Sequence, residues 1–486
     1  MTKKVYAALA CALSALLLLL CAPRFVARAN SAQTSWSGRD SFGAYVTDEN
    51  CPVEVESEKL TLRVPHFPNN YYNSAEEFEN YEANVTAEYT FHNPADYDVE
   101  MTLAFPFGKV PDYLYGYYDE ESQTYRNIDD TARYAITADG EQVNRNLRYT
   151  LESWKFDPET DLARLSHNKR SSGFITPDTP VTVYTYGFYP EKVEHATCVA
   201  ANFYGLGDST ETCVLLQQFS MANYGKKTEM CGTWLPNDGT LTMYVIGEPL
   251  KKLPEWKIYK NGAMEKVVAG RVELSPEQTT ITFNDLALSF YNNDGEVGEV
   301  DWYNAALDKL CGSMQNGKLV AQSYSSLDVS DNLMRWYEYK LSIPAGGRVV
   351  NSVTAPLYPN INLSWNPAKY SYTYLLSPAS TWAEFGSFEV EIKTPYYVVN
   401  SSLKFEKEEE IYTFSRQGLP EGELTFTLSS SASPKIIKQP IWKSFGYIML
   451  YVGLPIIFAL VLVGIIVGIT LTISEAVHRK KHNKLL

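Results

Sequence analysis

The sequence predicts a mainly β protein. It is read as tandem β-sandwich domains in an exported region, followed by one C-terminal transmembrane helix. Three observations predict this. Apolar–polar alternation of the strand type recurs between closely spaced turn residues. The chain is rich in Tyr, Phe and Trp (35, 21 and 9 of its 486 residues), which suit a half-buried pleated surface. Apolar segments stand at both ends of the chain.

The ends set the compartment. Lys3 and Lys4 precede an apolar run from Val5 to Ala22, and Ala27-Arg28-Ala29 follows as a small-x-small site. That order is the pattern of a secretory signal peptide, and 1–29 is assigned to it, with cleavage after Ala32 nearly as good. Lipidation at Cys21 is disfavoured by the bulky Leu18-Leu19-Leu20 before it. Near the other end, Phe445–Ser474 contains no charged residue. A bilayer needs roughly 20 residues of helix, so 445–474 is predicted to span it. Pro455 is tolerated in such a helix. Arg479, Lys480, Lys481 and Lys484 make 475–486 a basic cytoplasmic tail. The predicted location is therefore the cell membrane, single-pass and type I, with the bulk of the chain extracytoplasmic.

Within the exported region the strands follow in order. Val53–Val64 places Val53, Val55, Leu60, Leu62 and Val64 on one face or the other. Ala83–Phe91 alternates through Val85, Ala87, Tyr89 and Phe91. After Asn93-Pro94 and Ala95-Asp96-Tyr97-Asp98, the pattern resumes at Val99, Met101, Leu103 and Phe105. Asn-Pro forces a turn, so 89–108 is predicted to be a β-hairpin. Asp139-Gly140 supplies the positive φ angles of a tight hairpin, and Asn261-Gly262 is a second such turn. Further strands are expected at Val181–Phe188, Tyr337–Ile343, Tyr370–Tyr374, Phe388–Ile392 and Leu424–Leu428. One helix stands out at 301–311, with an acidic start, apolar Trp302, Ala305, Ala306, Leu307 and Leu310, and Gly312 beyond its end. A single helical turn is read at Ser330–Trp336.

The exported length of roughly 410 residues is too long for one core. Lys251-Lys-Leu-Pro254 is taken as a boundary. It divides an N-terminal β-sandwich region, 30–250, from a C-terminal β-rich region, 251–440, that holds the short helix. No fixed repeat points to a solenoid or propeller. The whole chain carries −15. Without the charges of the two predicted end segments the exported part is about −22, a sign that argues against nucleic acid as a partner.

Cys51, Cys198, Cys213, Cys231 and Cys311 remain after the signal region. An odd number leaves at least one thiol unpaired. The local pair Cys198–Cys213 is preferred, with connectivity open.

An Asn-Pro turn, a strand ending in Phe105-Pro106 and the Asp139-Gly140 hairpin together resemble the N-terminal part of uncharacterised exported bacterial β-sandwich families. They are more weakly similar to VIT domains. Tyr374-Leu-Leu-Ser-Pro-Ala-Ser-Thr-Trp382 with Phe385-Gly386 resembles the second half of such proteins. The resemblance implies fold and export, and no activity.

No His-Glu-x-x-His, Gly-x-Ser-x-Gly or phosphate-binding glycine loop is present. Ser166-His-Asn-Lys169 and Ser401-Ser-Leu-Lys404 match Ser-x-x-Lys, but the companion motifs of that enzyme class are missing. The chain is therefore read as a non-enzyme. Two stretches are candidate binding sites. Tyr113, Tyr115, Tyr117, Tyr118 and Tyr125 flank a glycine and offer aromatic faces with polar tips to a glycan or protein partner at the cell surface. Asn292, Asp294, Glu296, Glu299 and Asp301 concentrate oxygen ligands of the kind calcium takes, although the spacing is not that of an EF-hand. Calcium is the one cofactor so indicated. The function predicted is a membrane-anchored surface binding or envelope-associated module. The alternatives are an exported enzyme acting on envelope glycans and an extracytoplasmic subunit of a transport or sensory complex.

Overall fold

The computed structural model describes 51–437 apart from 71, 73–74, 109–116, 120–123, 127–129, 154–157, 193–196, 204–210, 218–220, 225–228, 236–238, 292–296, 313–321, 377–378, 380–381 and 383. It also describes the two-residue strands Ser35–Trp36, Ser41–Phe42 and Tyr45–Val46. The predicted signal peptide, membrane span and cytoplasmic tail lie outside the described residues. Among those described, no helix is long and apolar enough to cross a membrane. The chain is mainly β, with several sheets.

Contacts divide it into two units. In the smaller, Ser35–Trp36 pairs with Asn362 and Ile361, and Trp365–Asn366 pairs with Lys435–Ile436. Lys369 Nζ sits 3.3 Å over the Trp365 ring.

The larger unit is organised by an eight-stranded sheet. Its central strands run Arg348–Pro356, Asn84–His92, Glu54–Arg63, Phe385–Lys393 and Ile411–Gln417. Glu54–Arg63 and Phe385–Lys393 pair in parallel, and their neighbours are antiparallel. The mixed parity of the apolar residues in 53–64 now has a cause. The register shifts between Val55 and Ser57, so Glu56 is an extra residue in a bulge. The bulge brings Val53 and Val55 onto the same buried face as Leu60, Leu62 and Val64. The parallel neighbour passes Glu56 at Gly386, where a Cβ would collide with the Glu56 carbonyl oxygen. Only glycine fits that approach.

Cross-strand register puts Asn351, Tyr89, Glu58 and Phe388 in one row, and all four are buried. Two smaller sheets cover this face. A four-stranded sheet contains Arg145–Leu151, Leu333–Ile343 and Val99–Gly108, and its Tyr339 hydroxyl donates to Asn351 Oδ1 at 2.9 Å. The other contains Lys369–Leu375, Leu424–Ser429 and Tyr397–Ser401, and its Tyr374 reaches Tyr89 and Glu58. The opposite face is polar, with Lys59 between Glu389 and Glu391.

The stretch 89–108 is not a hairpin. Asn84–His92 lies in the eight-stranded sheet and Val99–Gly108 in the four-stranded one. The chain arches from layer to layer. A second arch, between Leu333–Ile343 and Arg348–Pro356, crosses beside it. Asn93, fully buried, clasps the two. Its Nδ2 donates to the carbonyls of Tyr97, Ile343 and Pro344 at 2.8, 3.1 and 3.2 Å, and its Oδ1 accepts from Ala95 N. The side chain satisfies main-chain groups that a hairpin would have paired with each other.

The division into 30–250 and 251–440 does not match the pairing. Arg145–Leu151 and Leu333–Ile343 are adjacent antiparallel strands, and Glu152 N donates to Asn332 O. Everything from 153 to 331 is thus inserted between two neighbouring strands, an arrangement that is nested and not tandem. Lys251–Pro254 falls inside the insertion, between the strands Thr240–Gly247 and Lys257–Tyr259. The insertion packs a sheet centred on Pro180–Pro190, Thr240–Gly247 and Thr212–Leu216 against a second sheet containing Cys198–Phe203 and Glu229–Trp234. On its other face lie the helices Phe283–Ala287 and Glu299–Gly312.

The remaining elements follow the sequence closely. Ala138 pairs with Glu141 across Asp139-Gly140, whose φ angles are 50° and 83°. The helix forms at Glu299–Gly312. Of the turn read at Ser330–Trp336, only Ser330–Asn332 is helical, and Leu333 already begins a strand. Near Asn261-Gly262 the positive φ is at Met264.

Candidate functional site

Tyr113 and Tyr115 lie outside the described residues. Tyr117–Asp119 and Thr124–Arg126 form a two-stranded hairpin of their own, with Tyr118 opposite Tyr125 and Tyr117 opposite Arg126. The hairpin pairs with no other described strand. It leads, a few residues on, into the turn Thr131–Arg133, which forms one wall of an open depression of about 540 Å³.

The depression is built where three elements end. Arg63 closes its strand, Thr354 and Pro356 close another, and 79–84 connects the short helix Ala75–Glu79 to the strand Asn84–His92. Arg133 fixes that connection. Its guanidinium donates to the main-chain oxygens of Phe78, Glu79 and Tyr81, and stacks 4.2 Å over the Phe78 ring. Phe78 and Glu79 stand in the last turn of the helix, where carbonyls lack helical partners, and Phe78 O also accepts from Tyr81 N. Beneath lies a floor of rings. Tyr81 and Tyr358 stack at 5.9 Å, and each stacks on Phe78. Burial holds the Tyr81 hydroxyl protonated, well above the ordinary tyrosine range, and it donates to Leu357 O. Tyr358 donates to the buried Asp130, which also pairs with Arg335. Of the three rings only Tyr81 lines the depression, and all three are buried.

The rim carries both signs of charge. Arg63 and Glu82 are 3.5 Å apart and about half exposed. Such a pair contributes little to stability and exchanges partners readily. The Glu79 side chain is exposed beside them. An ammonium can meet Glu79 or Glu82, and a carboxylate can meet Arg63, at a rim braced from beneath by the buried rings.

The predicted calcium ligands do not converge. Asn292, Asp294 and Glu296 lie outside the described residues. Glu299 is bound by Lys169. Asp301 is buried and receives Nε and Nη2 of Arg148 at 2.8–3.2 Å, with Tyr149 N at 2.9 Å. The same Arg148 donates to Glu338 at 2.8 Å. A carboxylate so committed is an anchor of the helix to the strand Arg145–Leu151. Among the described residues no group of three or more metal-ligating side chains is assembled.

The preferred disulfide is also not formed. Both thiols are free. Cys213 faces the helices, on the side of its strand opposite Val214 and Leu216, whereas Cys198 belongs to the other sheet. Cys198 Sγ donates instead to Asn261 O at 3.1 Å.

Sequence reasoning missed Arg63, Glu79, Glu82 and Arg133, which are distant in sequence and ordinary in type. It also missed Glu58. This side chain is buried at a core position, with the Tyr374 hydroxyl donating to Oε1 at 3.2 Å. Burial raises its pKa to about 7, against the hydrogen bonds of Tyr89 and Tyr374, which lower it. A glutamate on the apolar face between Val55 and Leu60 is the signal that marks it.

No family model matches the chain, and no curated protein matches it. Among solved structures, a candidate nutrient-binding protein from Legionella pneumophila is similar at a TM-score of 0.31 and 9% identity, over 82% of this chain and 73% of that one. A likeness at that level carries no argument about fold or function.

Proposed function

We propose that the chain is a membrane-anchored, extracytoplasmic binding module that takes a zwitterionic, peptide-bearing ligand of the cell envelope in the depression over Tyr81. Binding, and not catalysis, is the role proposed. The observation that carries this reading is the depression itself, a mixed-charge rim of Arg63, Glu79 and Glu82 above buried aromatic rings. Muropeptides combine ammonium, carboxylate and sugar groups, and suit such a rim. The Tyr117–Arg126 hairpin adjoins the Arg133 wall in sequence and supplies a second contact. The export signal at 1–29 and the uncharged run at 445–474 support the topology.

The test is thermal melting of the purified protein against muropeptides, envelope polysaccharides and calcium. A ligand at 100 times its Kd adds about 2.7 kcal/mol to the stability of the native state. Stabilisation by muropeptide, abolished in Arg63→Ala, is the expected result. Stabilisation by polysaccharide or calcium alone, or by none of the three, overturns the ligand assignment.

A further inference from the structure

We propose that the ribbon of Trp365–Asn366 and Lys435–Ile436 is a membrane-contact surface, seated in the headgroup layer of the bilayer that anchors the chain. The proposal rests on the membrane anchoring proposed above. Trp365 is the cross-strand partner of Ile436, and Asn366 that of Lys435. No other described strand pairs with this ribbon. Two strands alone are marginal in water. Yet Ile436 and Ile437 are 60% and 50% exposed, and no large apolar side chain among the described residues is more exposed than Ile436. Successive residues of a strand point to opposite faces. Ile436 therefore shares a face with Trp365, and Ile437 takes the other. Ile437 N donates to Ser364 O at 2.8 Å, so the pairing continues to the end that carries both isoleucines. An end that is apolar on both faces is suited to dip into an apolar phase, and not to lie by one face against a protein.

The charges stand where a headgroup layer takes them. Lys369 Nζ is 3.3 Å over the Trp365 ring, and Lys435 is exposed. Tryptophan and lysine settle together at that level, the ring toward the acyl chains and the ammonium toward phosphate and water. Connectivity names the occupant. In the sequence, Trp442 and Lys443 stand just before the uncharged run that begins at Phe445, and mark where the chain enters the bilayer. Trp442 follows Ile437 by five positions. Five positions of fully extended chain reach at most about 18 Å. So short a tether holds ribbon and bilayer at a high effective concentration. Two isoleucines then suffice where a freely diffusing protein would need a larger anchor.

The test uses the full chain in vesicles of phosphatidylethanolamine and phosphatidylglycerol. Separate variants carry the photo-crosslinker p-benzoylphenylalanine in place of Ile436, Ile437 or Val461, the last near the middle of the uncharged run. Irradiated protein is digested and its lipid adducts are located by mass spectrometry. The expected result is adducts from 436 and 437 on the glycerol and upper acyl carbons, and from 461 deeper in the chains. Adducts at 461 without adducts at both 436 and 437 overturn the contact and leave the span intact. Adducts at none of the three overturn the contact together with the membrane anchoring. Adducts at 436 and 437 without any at 461 support the contact and count against 445–474 as a span.

Discussion

Glu58→Gln removes a carboxyl group from the core while leaving its shape and most of its hydrogen-bonding capacity. The consequence depends on pH, and the structure gives the sign. Glu58 has a pKa of about 7 in the folded chain, against an ordinary value of 4.5, chiefly through burial. Below pH 4.5 the carboxyl is neutral in both folded and unfolded chains, and no penalty applies. Between pH 4.5 and 7 the unfolded chain releases the proton and the folded chain keeps it. Stability falls across that window and levels off above it, by about 3 kcal/mol at 1.36 kcal/mol per pH unit. A glutamine side chain cannot ionise. Urea unfolding of the two proteins side by side should show nearly equal stability at pH 4, and the variant should be ahead by about 3 kcal/mol at pH 8. Other titrating groups cancel in the difference. A variant that trails the wild type by the same amount at every pH would refute a neutral Glu58 held by Tyr374 and Tyr89.

Four further outcomes follow. Gly386→Ala should cost about 3 kcal/mol or more, because its Cβ collides with the Glu56 carbonyl, whereas Gly312→Ala, where a Cβ meets nothing, should stay within about 0.5 kcal/mol in the same urea experiment. Arg148→Ala leaves Asp301 and Glu338 buried without their cation and should cost about 3–5 kcal/mol. A calcium titration of Asp301→Asn should match that of the wild type. Replacing 117–126 by a short glycine–serine linker should leave the melting temperature nearly unchanged, since that hairpin pairs with no other described strand, while muropeptide binding weakens about tenfold or more, as loss of aromatic anchors predicts.

Much of the strand content was legible because alternation reports a buried face directly. Tyr337–Ile343 and Phe388–Ile392 formed where they were read, and Asp139-Gly140 made its turn. What alternation cannot report is the partner. The residues that turn the chain at Asn93-Pro94 would serve a hairpin or an arch equally well. The deciding contacts are from Asn93 to Ile343 and Pro344, some 250 positions away. The nested insertion was hidden for the same reason, since Arg145–Leu151 finds its partner beyond the whole of 153–331. The candidate site was the least legible part. Oxygen-rich spacing at 292–301 pointed to a metal, but spacing says nothing about Arg148 arriving from the strand Arg145–Leu151 to take Asp301. The groups that form the depression come from four separate stretches of chain, each ordinary by itself.

The most direct test of the central claim is hydrogen exchange with and without saturating muropeptide. The account predicts slowed exchange at 79–84 and at 131–133, the walls of the depression, with little change across the inserted 153–331. Protection confined to the insertion, or no protection at 79–84 while the muropeptide is bound, would contradict it.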